Sequence, residues 1–423
     1  MKYRKRYADQ VLKEKLEAKG AVLVEGAKWC GKTTTAKQIA KSVLYMQAPA
    51  KKSQNLQLAD TDPARLLQGE TPRLIDEWQL APKLWDAVRF EVDQRDDFGQ
   101  FVLTGSAVPA DASEISHSGT GRISRMLMRP MSLFESGDSN GQVSLADLFD
   151  PKYEVSASAD ADLDKLAFLA CRGGWPKAVG LGAKVALQQA FDYCEAVAES
   201  DISRVDGKER RPERTRLLLR SYARNIGSQA KFEEIRKDIL GNDVGTFNIL
   251  TLYDYVDALK KIFVVEDAPA WNPNLRSKTA IRTTDTRYFV DPSVATASLG
   301  LGPEDLVGDL NTMGFVFENL CVRDLRIYAQ PLGGRVYHYR DHNGTECDAV
   351  VHLRNGSYGL VEIKLGGDKL VEEGAAALAK VESILDLGKM KRPSFKMVLT
   401  GVGDCAYKRR DGVLVVPVAC LGA

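Results

Sequence analysis

The stretch Gly26-Ala27-Lys28-Trp29-Cys30-Gly31-Lys32-Thr33 constrains this chain more than any other, because it follows directly on the apolar run Ala21-Val22-Leu23-Val24. So short an apolar run reads as a buried strand. G-x-x-x-x-G-K-T after a strand reads as a loop whose backbone N–H groups curl around phosphates. The glycines permit the close backbone approach, and the helix that begins at the loop's end points its positive N-terminus at the same place. The pattern therefore predicts ATP and Mg2+ as ligands. Lys32 is expected at the β- and γ-phosphates and Thr33 at the metal, with Gly26, Ala27, Lys28, Trp29, Cys30, Gly31 and Thr34 forming the rest of the cradle.

Two further strand ends fit that reading. Arg73-Leu74-Ile75-Asp76-Glu77 closes an apolar stretch with adjacent carboxylates. Asp76 is expected in the magnesium shell, and Glu77 is expected to polarise the attacking water. Phe101-Val102-Leu103-Thr104 runs into Gly105-Ser106, where the hydroxyls of Thr104 and Ser106 are placed to sense the γ-phosphate from between the other two strands.

The chain's 423 residues exceed one hydrophobic core and predict several units. We read three: 1–150 around the phosphate loop, 151–300 and 301–423. Pro151 to Asp162, polar and small, reads as a linker or exposed turn after the first. Seven scattered cysteines without a C-x-x-C pair argue against a disulfide framework or a zinc knuckle. No run reaches the roughly 18 apolar residues of a membrane span, and the N-terminus reads as an amphipathic helix, so a cytoplasmic location without membrane contact is expected.

Between Ile202 and Arg224 eight basic residues face three acidic ones, a net charge of +5 over 23 residues. Arg216, Arg220 and Arg224 recur at i, i+4, i+8, one stripe of a helix that a phosphate backbone would suit, although such runs are more often solvated. Lys231–Leu240 and Phe247–Lys261 read as helices flanking Gly241–Gly245, followed by a strand-like Ile262–Glu266. That order predicts a winged helix-turn-helix. Its second helix is poor in Arg and Lys, which favours a structural or interaction role over base reading.

The last third carries a constellation: Glu318 on a helix, Asp348 on a strand, and Glu362-x-Lys364 on the next. Asp348 and Glu362 on neighbouring strands are suited to hold a hard cation, with Glu318 completing its shell. Lys364, two residues from Glu362 and so on the same strand face, would orient a bound water. This is the PD-(D/E)XK nuclease arrangement. His338, His342 and His352 are spaced for strands and a turn and are read as structural.

Glu25 through Thr34, Leu74 through Gln79, Leu103 through Ser106 and Gly121 through Glu135 occur in an order that resembles a prokaryotic AAA+ ATPase family, similar to archaeal ATPases, whose members carry a C-terminal domain of unknown function. The resemblance implies an α/β fold: a P-loop AAA+ ATPase domain, a helical lid and winged-helix middle region, and a C-terminal restriction-endonuclease-like α/β domain. It implies that Arg122 is an arginine finger reaching a neighbouring subunit's γ-phosphate, with Arg125 or Arg129 as substitutes. Arg172-Gly173-Gly174-Trp175-Pro176 resembles the family's lid turn. Expected with it are a homo-oligomeric ring, a hexamer, and DNA as partner, branched DNA such as a Holliday junction being the most attractive substrate. The alternative is a nucleotide-operated signalling switch with an inert nuclease-like domain.

Overall fold

The structure, a computed structural model, describes residues 2–107, 118–241, 247–272 and 284–423. The chain divides into two compact units. The first comprises Met1–Pro130, Ala196–Pro212 and Asp254–Val264; the second comprises Met131–Glu195, Glu213–Tyr253 and Val265–Ala423.

The first unit is built on β1 (Ala21–Glu25), β2 (Ser42–Tyr45), β3 (Arg73–Asp76), β4 (Phe101–Gly105) and β5 (Ile123–Leu127), in the order β2-β3-β4-β1-β5. Every neighbouring pair is parallel. A parallel sheet must be covered on both faces, which is why its strands read as continuous apolar runs rather than alternating ones. Ala21, Leu23, Ile75, Phe101 and Leu103 pack with Trp78, Trp85, Val88 and Val92. Val22, Val24, Leu74, Val102 and Met126 pack with Ala8, Val11, Leu12 and Leu16 of the helix Tyr7–Ala18. The N-terminal segment is therefore the amphipathic helix its sequence predicts, and it covers one face of the sheet.

The second unit holds β6 (Val143–Ser144), β7 (Ala157–Ser158), β8 (Arg335–Arg340), β9 (Glu346–His352), β10 (Tyr358–Lys364), β11 (Phe395–Thr400), β12 (Cys405–Lys408), β13 (Leu414–Pro417) and β14 (Leu421–Gly422). Seven of them form a mixed sheet in the order β7-β12-β13-β11-β10-β9-β8, and β6 pairs with β14. The pairs β8/β9 and β9/β10 are antiparallel, whereas β10/β11 and β11/β13 are parallel. Val371, Ala375, Leu378 and Val381 of the helix Asp368–Ile384 pack on Val350, Leu360, Val398 and Val415. The helix Leu310–Ala329, capped by Asp309 accepting from the backbone N–H of Asn311 and Thr312, carries Glu318.

Two expectations are corrected. Pro151–Asp162 is not a bare linker: β7 lies inside it and pairs with β12 at the edge of the mixed sheet. A strand of two small residues carries no hydrophobic alternation, so nothing in the sequence signals it. The helices Phe232–Leu240 and Ile249–Lys261 form where expected, but no strand follows at Ile262–Glu266. Only isolated bridges occur there, Val265 to Phe289 and Ala268 to Thr286, and Phe263 takes a left-handed backbone at φ 59°. Of the turn expected between the helices, Gly241–Gly245, residues 242–245 lie outside the described residues. The winged-helix reading therefore rests on its two helices alone.

Candidate nucleotide site and the C-terminal carboxylate cluster

β1, β3 and β4 end side by side, because β4 is inserted between the other two. Thr104 stands in register with Val24 on one side and Asp76 on the other. Ligands of open parallel sheets sit outside such carboxyl ends. The loop after β1 has left-handed backbone at Trp29 (φ 67°) and Gly31 (φ 104°), and the helix Lys32–Ala36 begins directly after it. Alternation between right- and left-handed residues is the conformation that builds an anion-binding nest. Gly26 is required by space as well: a Cβ there would lie 2.1 Å from the Met128 carbonyl oxygen, at φ +150°.

Lys32 is buried and its ammonium donates to the Gly26 and Ala27 carbonyls, both at 2.8 Å, so its charge lies inside the loop. One carboxylate oxygen of buried Asp76 accepts from the Thr33 hydroxyl at 2.6 Å and the Thr104 hydroxyl at 2.8 Å. These contacts join loop, β3 and β4 at one point. Glu77 takes a left-handed backbone, φ 59° and ψ 47°. That conformation is uncommon for a side-chain-bearing residue and concentrates at functional sites. Its Oε2 accepts from the Gln79 amide and from the Ser106 hydroxyl at 3.3 Å. Cys30 is buried and Thr34 exposed, while Trp29 is exposed at the loop's tip.

The structure therefore brings together Lys32, Thr33, Asp76, Glu77, Thr104 and Ser106. The arginines make other contacts. Arg122 donates to Asp93 at 2.7 Å, and Arg125 pairs with Glu25 at 3.2 Å and lies over the Trp85 ring. Arg129 offers its carbonyl to Arg6, whose other guanidinium nitrogen donates to the Cys30 carbonyl of the loop. Sequence reasoning missed Arg6 and Gln79. It also missed Asp201, whose carboxylate meets the Lys28 ammonium at 2.5 Å. A contact across 173 residues leaves no local signal.

In the second unit Glu318, Asp348, Glu362 and Lys364 gather in one place. Lys364 lies 2.7 Å from Glu362 Oε2 and 3.4 Å from Asp348 Oδ2, and the Ile363 N–H donates to that same Asp348 oxygen at 2.7 Å. The Tyr288 hydroxyl donates to Glu318. Burial, and after it the Asp348 carboxylate, holds Glu318 well above the usual carboxylate range and pushes Glu362 up to about 8. Burial works against the Lys364 ammonium, but Asp348 and Glu362 outweigh it and raise its pKa.

Asp348 and Glu362, with Glu318 completing the shell, are the expected cation ligands. Among the described residues no group of three or more His, Cys, Asp or Glu is disposed to hold a metal. One oxygen of each carboxylate has a partner: the Tyr288 hydroxyl at Glu318, Lys364 and the Ile363 N–H at Asp348, and Lys364 at Glu362, whose other oxygen, Oε1, is buried without one. The cluster neutralises itself with an internal lysine.

The basic run is also largely compensated. Arg216 pairs with Glu195 at 2.7 Å and Arg224 with Asp238 at 2.6 Å. Lys208 and Arg210 both pair with Asp254. The lid-like turn is set by packing: Trp175 is buried with its indole N–H on Ser293 Oγ, and the Gly174 N–H donates to Asp291. His338 is buried, Gln229 Nε2 at one ring nitrogen and the Thr284 carbonyl at the other. All seven cysteines are free thiols. No helix among the described residues is long and apolar enough to cross a membrane.

Three family models match in succession. Residues 18–136 match one described as an AAA domain, residues 163–305 a domain of unknown function (DUF8612), and residues 313–421 a domain of unknown function (DUF4143). No curated protein matches the chain. Among solved structures, the Walker-type ATPase PABY2304 of Pyrococcus abyssi is 15% identical at a TM-score of 0.40, over 69% of this chain and 94% of its own. The Orc1 protein of Aeropyrum pernix, solved in complex with DNA, is 13% identical at a TM-score of 0.23, over 73% of this chain and 95% of its own. The five parallel strands and the phosphate loop thus fall within the stretch of this chain that matches an AAA domain.

Proposed function

We propose that the chain is an ATP-hydrolysing AAA protein, and that its C-terminal domain engages DNA. The observation that carries the first part is the meeting of the Thr33 and Thr104 hydroxyls on one oxygen of Asp76, beside a loop with Lys32 inside it. ATP would lie in the loop with its phosphates against backbone N–H groups and the Lys32 charge. Magnesium, when bound, supplies positive charge across the phosphate oxygens, and Thr33 and Asp76 are the residues that would hold it. Glu77 orients the attacking water and accepts its proton, steered by Gln79 and Ser106. Ser106 and Thr104 are placed to respond to the γ-phosphate. Arg122 serves a neighbouring subunit's phosphate in a homo-oligomer: its partner Asp93 is on the surface, and exposed ion pairs of this kind are worth at most about 1 kcal/mol, so the guanidinium is exchangeable.

DNA is the polymer that the spacing of Asp348, Glu362 and Lys364 suggests, with branched DNA preferred. Cleavage is not part of the proposal. The second reading, a nucleotide-operated switch, is favoured by one specific observation: the acids Glu195, Asp238 and Asp254 neutralise much of the basic run. A mobility-shift series with linear, forked and four-way DNA, run beside phosphate release with and without each DNA, separates the two. Binding of four-way DNA together with faster multiple-turnover hydrolysis supports the first. Hydrolysis indifferent to every DNA, with no shift, supports the switch.

A further inference from the structure

Lys28 occupies a position in the phosphate loop that the G-x-x-x-x-G-K-T pattern leaves open. It stands between Ala27, whose carbonyl holds Lys32, and the left-handed Trp29. Its ammonium reaches Asp201 Oδ1 at 2.5 Å. The pair is asymmetric: the lysine side chain is 39% exposed and the aspartate 8%. Asp201 closes a single π-helical stretch, Val197–Asp201, within a segment that belongs to the same compact unit as the loop. Such wide turns re-aim side chains and are frequent at functional sites. Besides Lys28, Asp201 accepts a weaker hydrogen bond from the Ser200 hydroxyl at 3.3 Å.

We propose that Lys28 exchanges its partner Asp201 for the terminal phosphate of a bound nucleoside triphosphate, so that Asp201 holds the lysine in reserve and competes with the triphosphate for it. This rests on the reading of the loop as the ATP site. The lysine, on the solvent side of the pair, is the member free to swing. The carboxylate it leaves stays buried and loses its counter-ion, which is costly. The exchange therefore proceeds only when the competing anion is strong, and the extra phosphate of a triphosphate is the additional charge a diphosphate lacks.

The Ile202 carbonyl, next to Asp201, accepts from Arg210 at 2.9 Å, and Arg210 holds Asp206 and Asp254. Ile202, Asp206 and Asp254 are thus joined through the Arg210 guanidinium.

Titration calorimetry with ATPγS and with ADP, in magnesium, on the full chain provides the test. Wild type, Lys28→Met, Asp201→Asn and the double variant form a cycle. Removing the competing carboxylate in Asp201→Asn should tighten ATPγS binding about threefold or more and leave ADP within about twofold. Lys28→Met should weaken ATPγS about tenfold, and the double variant should match it, because Asp201 acts only through Lys28. A purely structural Asp201 would weaken both ligands, and that result overturns the proposal. So does a double variant that binds ATPγS differently from Lys28→Met. If Asp201→Asn does not fold, Lys28→Gln decides: an unchanged ratio of ATPγS to ADP affinity rejects the exchange. Failure of wild type to bind either nucleotide rejects the ATP site itself, a result distinct from binding with no coupling.

Discussion

Asp76 accepts two hydroxyls on a single oxygen and Lys32 is held by two carbonyls, so each of these side chains is fixed before a nucleotide arrives. Pre-placed charge of this kind is what stabilises phosphoryl transfer. Lys32→Ala should therefore lower ATP affinity by at least about tenfold, measured by calorimetry, since the loop keeps its backbone but loses its only buried cation. His338 supplies an independent test at the same scale. Burial lowers its pKa to about 4 from 6.5, and the ring lies between Gln229 and the Thr284 carbonyl. A depressed folded-state pKa means stability that is complete above about 6.5 and lost as pH falls toward 4, because the unfolded chain takes up the proton first. The loss amounts to roughly 3 kcal/mol across that window. Urea melts between pH 7 and pH 4 should show that slope, and His338→Gln should flatten it.

At the scale of elements, much was legible because the chemistry repeats with local spacing. β1, β3 and β4 were read from apolar runs ending in glycines, carboxylates or hydroxyls, and β9 and β10 from Asp348 and the Glu362-x-Lys364 pair. β7 was not, since two small residues, Ala157 and Ser158, have no pattern until β12 pairs with them. The Lys364 occupancy of the carboxylate cluster was equally hidden, because spacing reveals a shared face but not which groups satisfy one another. Gly174 illustrates a packing constraint that only the structure reveals. A Cβ there would lie 2.0 Å from the Met131 carbonyl oxygen, whose residue also donates its N–H to Gly174. Gly174→Ala should destabilise the chain by more than about 2 kcal/mol in a denaturant melt. For the cluster, Asp348→Ala with Glu362→Ala leaves Lys364 without its acids. DNA affinity in the absence of magnesium should then hold or rise in a mobility-shift titration.

For the molecule as a whole, assembly and turnover are linked through Arg122. Its present partner is Asp93 on the same chain, and a role across a subunit interface predicts complementation. Arg122→Ala alone should lower turnover without unfolding the chain, and mixing it with Lys32→Ala should restore part of the activity, because some interfaces then combine an intact loop with an intact arginine. The account's central claim is that the loop, Asp76 and Glu77 form a working ATPase. It is tested most directly by steady-state phosphate release and ATP binding measured together on wild type and Glu77→Gln. Wild type should turn over ATP repeatedly. The variant should bind ATP within about threefold of wild type yet release phosphate at least about a hundredfold more slowly, since an amide cannot take the water's proton. Equal turnover by the two proteins, or a wild type that binds ATP and never hydrolyses it, would contradict the account.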